Sequence, residues 1–186
     1  MALTFKRSVA RGFTLIELLI VVIILAILAA IAIPQFSAST SDAQLAALDA
    51  NLSTVRTALE QYKVQHTGNV YPGANTSTGT CTTGATVTAA AGSKEAMIAQ
   101  LQYYTNAAGQ VCTAQSDTFK YGPYLRQGIP NEPINNSTAV AVTSTGTPVT
   151  PTDTTGGWAY DTKSGQFLMN SNADDKTGKT RAYSAH

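Results

Sequence analysis

The stretch RGFTLIELLIVVIILAILAAIAIP, residues 11–34, decides the fold of this chain. Between Phe13 and Ile33 only Thr14 and Glu17 are polar. Because a helix rises about 1.5 Å per residue, a helix over this interval is roughly 30 Å long, which matches the hydrocarbon core of a bilayer. The sequence therefore predicts one helix, residues 13–35, that crosses a membrane.

A short basic segment precedes this helix. Residues 1–12 carry Lys6, Arg7 and Arg11 and no acidic residue. Positive charge beside a membrane helix stays on the cytoplasmic side, so the chain beyond Pro34 is expected on the far side of the membrane. An ordinary secretory signal peptide is the alternative, but its apolar core is only about 7 to 15 residues long. The longer apolar run, and Glu17 near its start, favour a helix that is retained.

The composition excludes several functional classes. Charged residues make up 12% of the chain, and 12 Lys plus Arg stand against 11 Asp plus Glu, so no basic field is present and nucleic acid is not expected as the main ligand. Ser and Thr together number 40, which is typical of a surface outside the cytoplasm. An exported, weakly charged domain is therefore expected after the helix.

Glu17 is the residue of the apolar stretch that calls for a partner. A carboxylate at the centre of a membrane helix costs about 2.5 to 3.5 kcal/mol, and less towards the interface, so an acidic residue in such a helix indicates function. The string from Arg11 to Val22, followed by Pro34, resembles the N-terminus of the type IV pilin superfamily, which includes the pseudopilins of type II secretion systems. We expect Glu17 to act as it does in that family.

The resemblance implies a processing site and an assembly site. It implies that a membrane-embedded peptidase cuts between Gly12 and Phe13 and that the same enzyme methylates the new amine of Phe13. Glu17 is then expected to pair with the N-terminal amine of a neighbouring subunit, and the helix from Phe13 to about Pro34 is expected to be buried among like helices. Many family members have Gly where this chain has Ala26, so whether the helix melts near Pro34 in a filament stays open.

The apolar helix is expected to continue into an amphipathic half, residues 36–66. Its apolar side chains recur every three or four residues, which indicates a helix over about 41–65 with one face packed on a globular head. A coiled-coil seam is the alternative, because the spacing also fits a heptad. The residues of this periodic face are Leu45, Leu48, Leu52, Val55, Leu59 and Tyr62.

The remainder predicts a small head. Residues 67–118 are expected to form a long loop with a short helix, about 94–106, capped by Ser93. Residues 119–170 are expected to form an antiparallel sheet of three or four strands, and residues 171–186 a polar, mobile surface tail. The predicted class is α+β and type IV pilin-like, with a long N-terminal helix on a small sheet. The predicted strands are Phe119–Leu125, Ala139–Thr143, Gly157–Asp161 and Gln166–Asn170, the last two as a hairpin.

The residue types indicate two further candidate sites, a disulfide and a calcium site. Cys81 and Cys112 lie in the exported part, so a disulfide worth about 3 to 4 kcal/mol is expected, with two buried thiols as the alternative. Asp174 and Asp175, with nearby asparagines, are weak candidates for Ca²⁺ ligands, because their spacing does not match a dedicated acidic loop and a solvated turn is the alternative. No other cofactor is expected.

Catalysis has little support in the sequence. Nothing places His66 or His186 near a nucleophile or a pair of carboxylates, so no enzyme is expected. The resemblance instead implies a major subunit of a surface type IV pilus, for adhesion, motility or DNA uptake. The alternatives are a major pseudopilin of a type II secretion system and, in another class, a membrane-anchored extracytoplasmic binding protein.

The expected partners follow from the resemblance. They are further copies of the chain in a helical filament, the prepilin peptidase and methyltransferase, an inner-membrane assembly platform, and the lipid bilayer before assembly. The precursor is expected to cross the bacterial inner membrane once with its head in the periplasm, and then to enter an extracellular pilus or a periplasmic pseudopilus.

Overall fold

The computed structural model describes residues 12–152, 156–175 and 182–186, so the first eleven residues of the expected leader lie outside the described part. The chain divides into two compact units, Met1–Asp42 and Ala43–His186. The expected α+β class, with a long N-terminal apolar helix and a head containing small sheets, is confirmed. The elements are α1 Leu15–Gln65, α2 Lys94–Gln102, β1 Tyr104–Thr105, β2 Val111–Cys112, β3 Val140–Thr143, β4 Trp158–Asp161, β5 Phe167–Met169 and a 3-10 helix Tyr183–Ala185.

In the first unit, the described part of α1 has its apolar side chains exposed. The large apolar residues from Phe13 to Ile33 are all exposed. The backbone stays α-helical through Pro34 and on to the end of α1. Proline supplies no N–H to the helix, so the hydrogen bond to the carbonyl of Ala30 is missing while the helical path is kept.

In the second unit, the periodic face of α1 forms one wall of the head core. Leu48, Leu52 and Val55 are fully buried and cluster with Met97 and Trp158. Each such side chain contributes about 1.5 to 3 kcal/mol through its burial. The head packing that the apolar spacing indicates is therefore confirmed, and the head occupies the face that a coiled-coil seam would need.

The main sheet has the order β3-β4-β5, with β4 in the middle. The predicted hairpin is present, since β4 and β5 pair antiparallel with Trp158 opposite Met169. The pairing of β3 with β4 is parallel, with Val140 opposite Trp158, so the sheet is mixed rather than wholly antiparallel. The reason is the length of the connection: residues 144–157 are enough for the crossover that a parallel pair requires, whereas a few residues suffice for the hairpin.

The segment Phe119–Leu125 is not a strand. Its Gly122–Pro123 bond is cis, and Pro123 has no N–H to donate to a ladder. In this segment only Tyr121 makes a bridge, to Thr105 of β1. The pair β1–β2 itself is not predicted from sequence periodicity, because each strand has only two residues.

The short helix α2 and the C-terminal tail also differ from expectation. Ser93 accepts a hydrogen bond from the N–H of Ala96 at the start of α2, and the helix ends at Gln102 because Tyr103 is already extended.

The C-terminal tail is not only a surface segment. Tyr183 and Asp175 are both buried, and the ring of Tyr183 joins the apolar core of the head.

Candidate assembly site on the N-terminal helix

The first turn of α1 is closed by a reciprocal cap between Thr14 and Glu17. Thr14 donates from its backbone N–H and its hydroxyl to Glu17 Oε2, at 2.9 and 2.7 Å. The N–H of Glu17 donates to Thr14 Oγ1 at 3.3 Å. This is a capping box, in which the residue before the helix and the third helical residue satisfy donors that the helix cannot. Glu17 therefore has a local structural role as well as its expected role in assembly.

The cap leaves part of the Glu17 carboxylate available. Both contacts from Thr14 end on Oε2, and within the described ranges no hydrogen bond reaches Oε1. The side chain is exposed at the N-terminal end of α1, where the unpaired helix N–H groups favour negative charge. One carboxylate oxygen can thus meet a cation from outside the chain without loss of the cap.

The bond between Gly12 and Phe13 lies in accessible, non-helical chain. Both residues precede α1 and are exposed, and the side chain of Phe13 is 81% accessible. A Cβ placed on Gly12 meets nothing within 4 Å. Nothing in the described part of the chain therefore requires glycine here, so any requirement for Gly12 comes from a partner.

Between this cap and Ile33 the surface of α1 is apolar on every side. Within the described residues, one helical segment, Leu15–Ile33, is long and apolar enough to cross a membrane, and none of it is buried. An apolar surface of this extent is not stable in water, so lipid or other helices must cover it. Pro34 follows directly after this segment, inside the continuous helix.

Cys81 and Cys112 form a disulfide. It joins the long loop after α1 to strand β2, and a backbone bridge between Thr86 and Cys112 lies beside it. Backbone hydrogen bonds from Val111 to Ser77 and from Thr113 to Ala85 hold the same loop. The disulfide therefore fixes the loop and not the C-terminal segment.

The weak calcium candidates do not converge on a cation position. Asp175 contacts His186, Asn170 accepts from the N–H of Thr152 at 3.0 Å, and Asn172 donates to a backbone carbonyl. Over the described ranges, no group of three or more His, Cys, Asp or Glu is arranged to hold a metal. The side chains next to Asp174 are thus directed to separate partners.

The two histidines lie in different environments. His66 is buried, stacks on Tyr62 and donates from Nδ1 to the Tyr62 carbonyl at 2.7 Å, while Nε2 accepts from Thr105. Burial lowers the pKa of His66, against the opposing effect of the Tyr62 carbonyl, and keeps it neutral. The expectation that neither histidine is near a carboxylate pair is wrong for His186, whose ring lies between Asp49 and Asp175.

Asp161 is an organising residue that sequence inspection misses. Its buried carboxylate accepts hydrogen bonds from backbone N–H groups of two loops, including Thr145 at 2.8 Å and Ser164 at 2.7 Å. The available signal was its place at the end of β4 before a hairpin turn, where aspartate often binds backbone N–H groups. No local sequence pattern indicates the hydrogen bonds that Asp161 accepts from the loop after β3.

The described arrangement is that of a protein with one apolar N-terminal helix, an acidic residue in its first turn, and a small α+β head. Residues 7–33 match the family model described as the prokaryotic N-terminal methylation motif. Over this N-terminal segment the chain carries that motif, and its relatives include type IV pilins and a type II secretion core protein.

Proteins of type IV pili and of a type II secretion system are similar to part of this chain. The type IV narrow pilus major component PilA5 of Thermus thermophilus is 49% identical over 59 residues, 32% of this chain and 51% of its own length. The type IV major fimbrial protein FimA of Dichelobacter nodosus is 48% identical over 54 residues, 29% of this chain and 35% of its own. The type II secretion system core protein G of Pseudomonas aeruginosa is 36% identical over 61 residues, 33% of this chain and 43% of its own.

These matches cover about a third to a half of each relative, and they leave most of the head outside the similarity. No solved structure matches the chain.

Proposed function

We propose that this chain is the precursor of a structural filament subunit, a major pilin-like protein of a type IV pilus on the bacterial surface. The peptidase cuts between Gly12 and Phe13, Phe13 is methylated, and the mature chain polymerises through its apolar helix. The role is mechanical rather than catalytic, and the filament serves adhesion, motility or DNA uptake.

The observation that carries this proposal is the half-used carboxylate of Glu17 on a fully exposed apolar helix. A charge in an apolar bundle is stable only when an opposite charge and hydrogen bonds compensate it. Cleavage creates a cationic amine on Phe13, and the Glu17 oxygen that Thr14 does not use is suited to accept it from a neighbouring subunit. Only processed chains then have both halves of the pair.

The location and partners follow from the same helix. Before assembly, the precursor spans the inner membrane with its basic leader in the cytoplasm and its head in the periplasm. The peptidase and methyltransferase act there, an inner-membrane platform extracts the mature chain from lipid, and Pro34 lies inside the part of α1 that enters the bundle of like helices.

A periplasmic pseudopilus of a type II secretion system is the second candidate. The similarity to a core protein G favours it, because the same processing and helix packing would apply. Intact-mass spectrometry on sheared surface material and on membranes separates the two functions. A mature species one methyl group heavier, beginning at Phe13 and abundant in the sheared material, is expected for the pilus. Confinement of that species to membranes supports the pseudopilus, and an uncleaved leader supports a membrane-anchored binding protein.

The pairing of Glu17 is tested with variants that separate its charge from its cap. Glu17→Gln keeps an oxygen that accepts from Thr14 and removes the charge, Glu17→Ala removes both, and Thr14→Val weakens the cap and keeps the charge. We expect both Glu17 variants to be processed normally and to give less than about a tenth of the normal filament yield, since breaking a buried charge pair costs several kcal/mol.

Thr14→Val is the control, and we expect it to assemble, because losing a cap costs only about 1 kcal/mol. Normal filament yield from Glu17→Gln would show that the carboxylate serves the cap alone, and it would refute charge pairing.

A further inference from the structure

The C-terminal strap, residues 182–186, lies against the head although no disulfide reaches it. Ala182 forms an antiparallel bridge with Asp174, and the N–H of Tyr183 donates to the carbonyl of Ala173 at 3.0 Å. The ring of Tyr183 is buried in the core. The strap is therefore a folded part of the head, held by noncovalent contacts.

His186 links this strap to α1 through two carboxylates. Its Nδ1 lies 2.8 Å from Asp49 Oδ1 on α1, and its Nε2 lies 3.2 Å from Asp175 Oδ2. The ring is only 6% exposed. An ionised carboxylate can only accept a hydrogen bond, so both contacts are hydrogen bonds only when both ring nitrogens carry a proton. The two nitrogens point in different directions, so the carboxylates bridge the ring and do not converge on a metal position.

Arg56 supplies a second attachment that does not depend on His186 being charged. Its guanidinium donates to the carbonyl oxygen of Phe167 on β5, at 2.8 and 3.0 Å, and to that of His186 at 3.2 Å. The strap thus lies beside the free edge of β5, and Arg56 holds both. An uncovered edge strand offers unpaired backbone groups to another chain.

Among the residues that the structure describes, the charged and titratable groups facing the ring of His186 are Asp49 and Arg56 from α1, Asp175 from the segment after β5, and Tyr183 from its own 3-10 helix. Arginine stays protonated in proteins. Burial, and then the carboxylate of Asp175, raise the pKa of Tyr183, so its phenol stays neutral. Histidine is the side chain that changes charge between about pH 5 and 8.

We propose that His186 is a pH-sensitive latch, closed when its ring is doubly protonated between Asp49 and Asp175 and loosened when the ring loses a proton. A neutral ring has one N–H and cannot donate to both carboxylates, so one of the two links becomes a contact between acceptors. At higher pH the strap is then held by one histidine link fewer, while Arg56 keeps its contacts with Phe167 and His186. This inference concerns the head alone and does not depend on filament assembly.

Amide hydrogen exchange of the full chain in detergent micelles, followed by NMR at pH 5.5 and 8.5 and corrected for the intrinsic effect of pH, tests the latch. We expect the protection of the Tyr183 amide to fall about fivefold from the lower to the higher pH, the size of a modest ion-pair effect. Protection of the Tyr160 amide in β4 reports global unfolding and serves as the internal reference.

Three variants complete the test. His186→Gln and Asp49→Asn are expected to show low protection of the Tyr183 amide at both pH values. Asp42→Asn makes the same change at an exposed aspartate seven residues earlier on α1 and is expected to behave like the unmodified chain. Equal protection at both pH values in the unmodified chain, or a pH effect that persists in Asp49→Asn, would overturn the latch.

Discussion

In the described part of the chain, Glu17 and Asp161 are two of the carboxylates that N–H and hydroxyl donors stabilise. Glu17 receives both of its bonds from Thr14, whereas Asp161 receives bonds from loops on either side of β4. The two carboxylates differ in the acceptor capacity that is left. Glu17 is exposed and its Oε1 is not used by Thr14, while Asp161 is fully buried and uses its capacity inside the head. Threonine and backbone donors suffice at both positions, which is consistent with a chain that has few charged residues.

Asp161 makes the stability of the head dependent on pH. Burial raises the pKa of its carboxyl group. Hydrogen bonds from the backbone N–H groups of Ser164 and Gly146, with other donors, lower the pKa by more than burial raises it, so the resulting pKa is well below its usual range. The unfolded chain then binds a proton at a higher pH than the folded chain does. The stabilisation by Asp161 is therefore complete above about pH 4 and is lost as the pH falls below that value.

Replacement of Asp161 by Asn tests this role. An amide can accept only through one oxygen, so several buried N–H groups lose their partner, and we expect a loss of roughly 2 to 4 kcal/mol in the free energy of unfolding at pH 7. The loss is expected to shrink below about pH 4, because the unfolded original chain then binds a proton at Asp161 that the folded chain does not, and this lowers the stability of the original chain. Chemical denaturation at pH 7 and pH 3 measures both effects.

Asp117→Asn, at an exposed position, is the control and is expected to change little. An Asp161→Asn chain with normal stability at pH 7 would show that the hydrogen bonds to Asp161 make no net contribution to the free energy of unfolding.

At the scale of elements, the long loop between α1 and α2 depends on its links to β2. Few apolar residues of this loop are buried, and its attachments include the disulfide and backbone bonds such as Val111 to Ser77. Closing a loop of this length lowers the entropy of the unfolded chain, which stabilises the fold by about 3 to 4 kcal/mol. The loop should therefore be the element most sensitive to reduction.

We expect the double variant Cys81→Ser with Cys112→Ser to unfold at a lower temperature, by about 3 to 4 kcal/mol in free energy, and to be cut by protease within the loop first. Thermal unfolding with and without a reductant, followed by mass spectrometry of early fragments, measures both. The double variant is the matched control for reduction, because a reductant should lower the stability of the original chain and leave the variant unchanged. Equal sensitivity of the two chains would contradict a stabilising disulfide.

The sequence predicts those elements whose signal is local. The apolar run, the periodic face of α1 and the hairpin around Ser164 all depend on neighbours within a few residues, and each is present in the structure. The parallel pairing of β3 is not predictable in this way, because it depends on the path of residues 144–157. The strand expected at Phe119–Leu125 is absent. Its aromatic residues favour a strand, but Pro123 cannot donate a hydrogen bond to a ladder.

The same distinction applies to the site residues. Gly12, Phe13 and Glu17 stand in one short motif, so their expected roles follow from the sequence, and those roles remain predictions. The contact of His186 with Asp49 joins residues 137 positions apart, and no periodicity or spacing indicates it. Arg56 is likewise hidden, since a lone arginine on a helix is usually a solvated side chain.

At the scale of the whole molecule, the two units differ in the surroundings they need: the first exposes apolar side chains, and the second buries its own. The large apolar side chains of the unit Met1–Asp42 are exposed from Phe13 to Phe36, whereas the unit Ala43–His186 has its own apolar core. That core includes the face of α1 from Leu48 to Leu59, so the head does not need the membrane helix to bury its apolar residues. The composition averages over both units and conceals this division.

A fragment spanning residues 43–186 is therefore expected to fold in water, to remain monomeric and to unfold cooperatively, because it retains the whole described core and omits the apolar surface. The chain beginning at Phe13 is the matched comparison and is expected to aggregate unless detergent or lipid is present. Size-exclusion chromatography and thermal unfolding of the two in the same buffer measure the difference. An insoluble or noncooperative fragment would show that the head requires the first unit to fold, and a soluble monomeric chain from Phe13 would contradict the need to cover its helix.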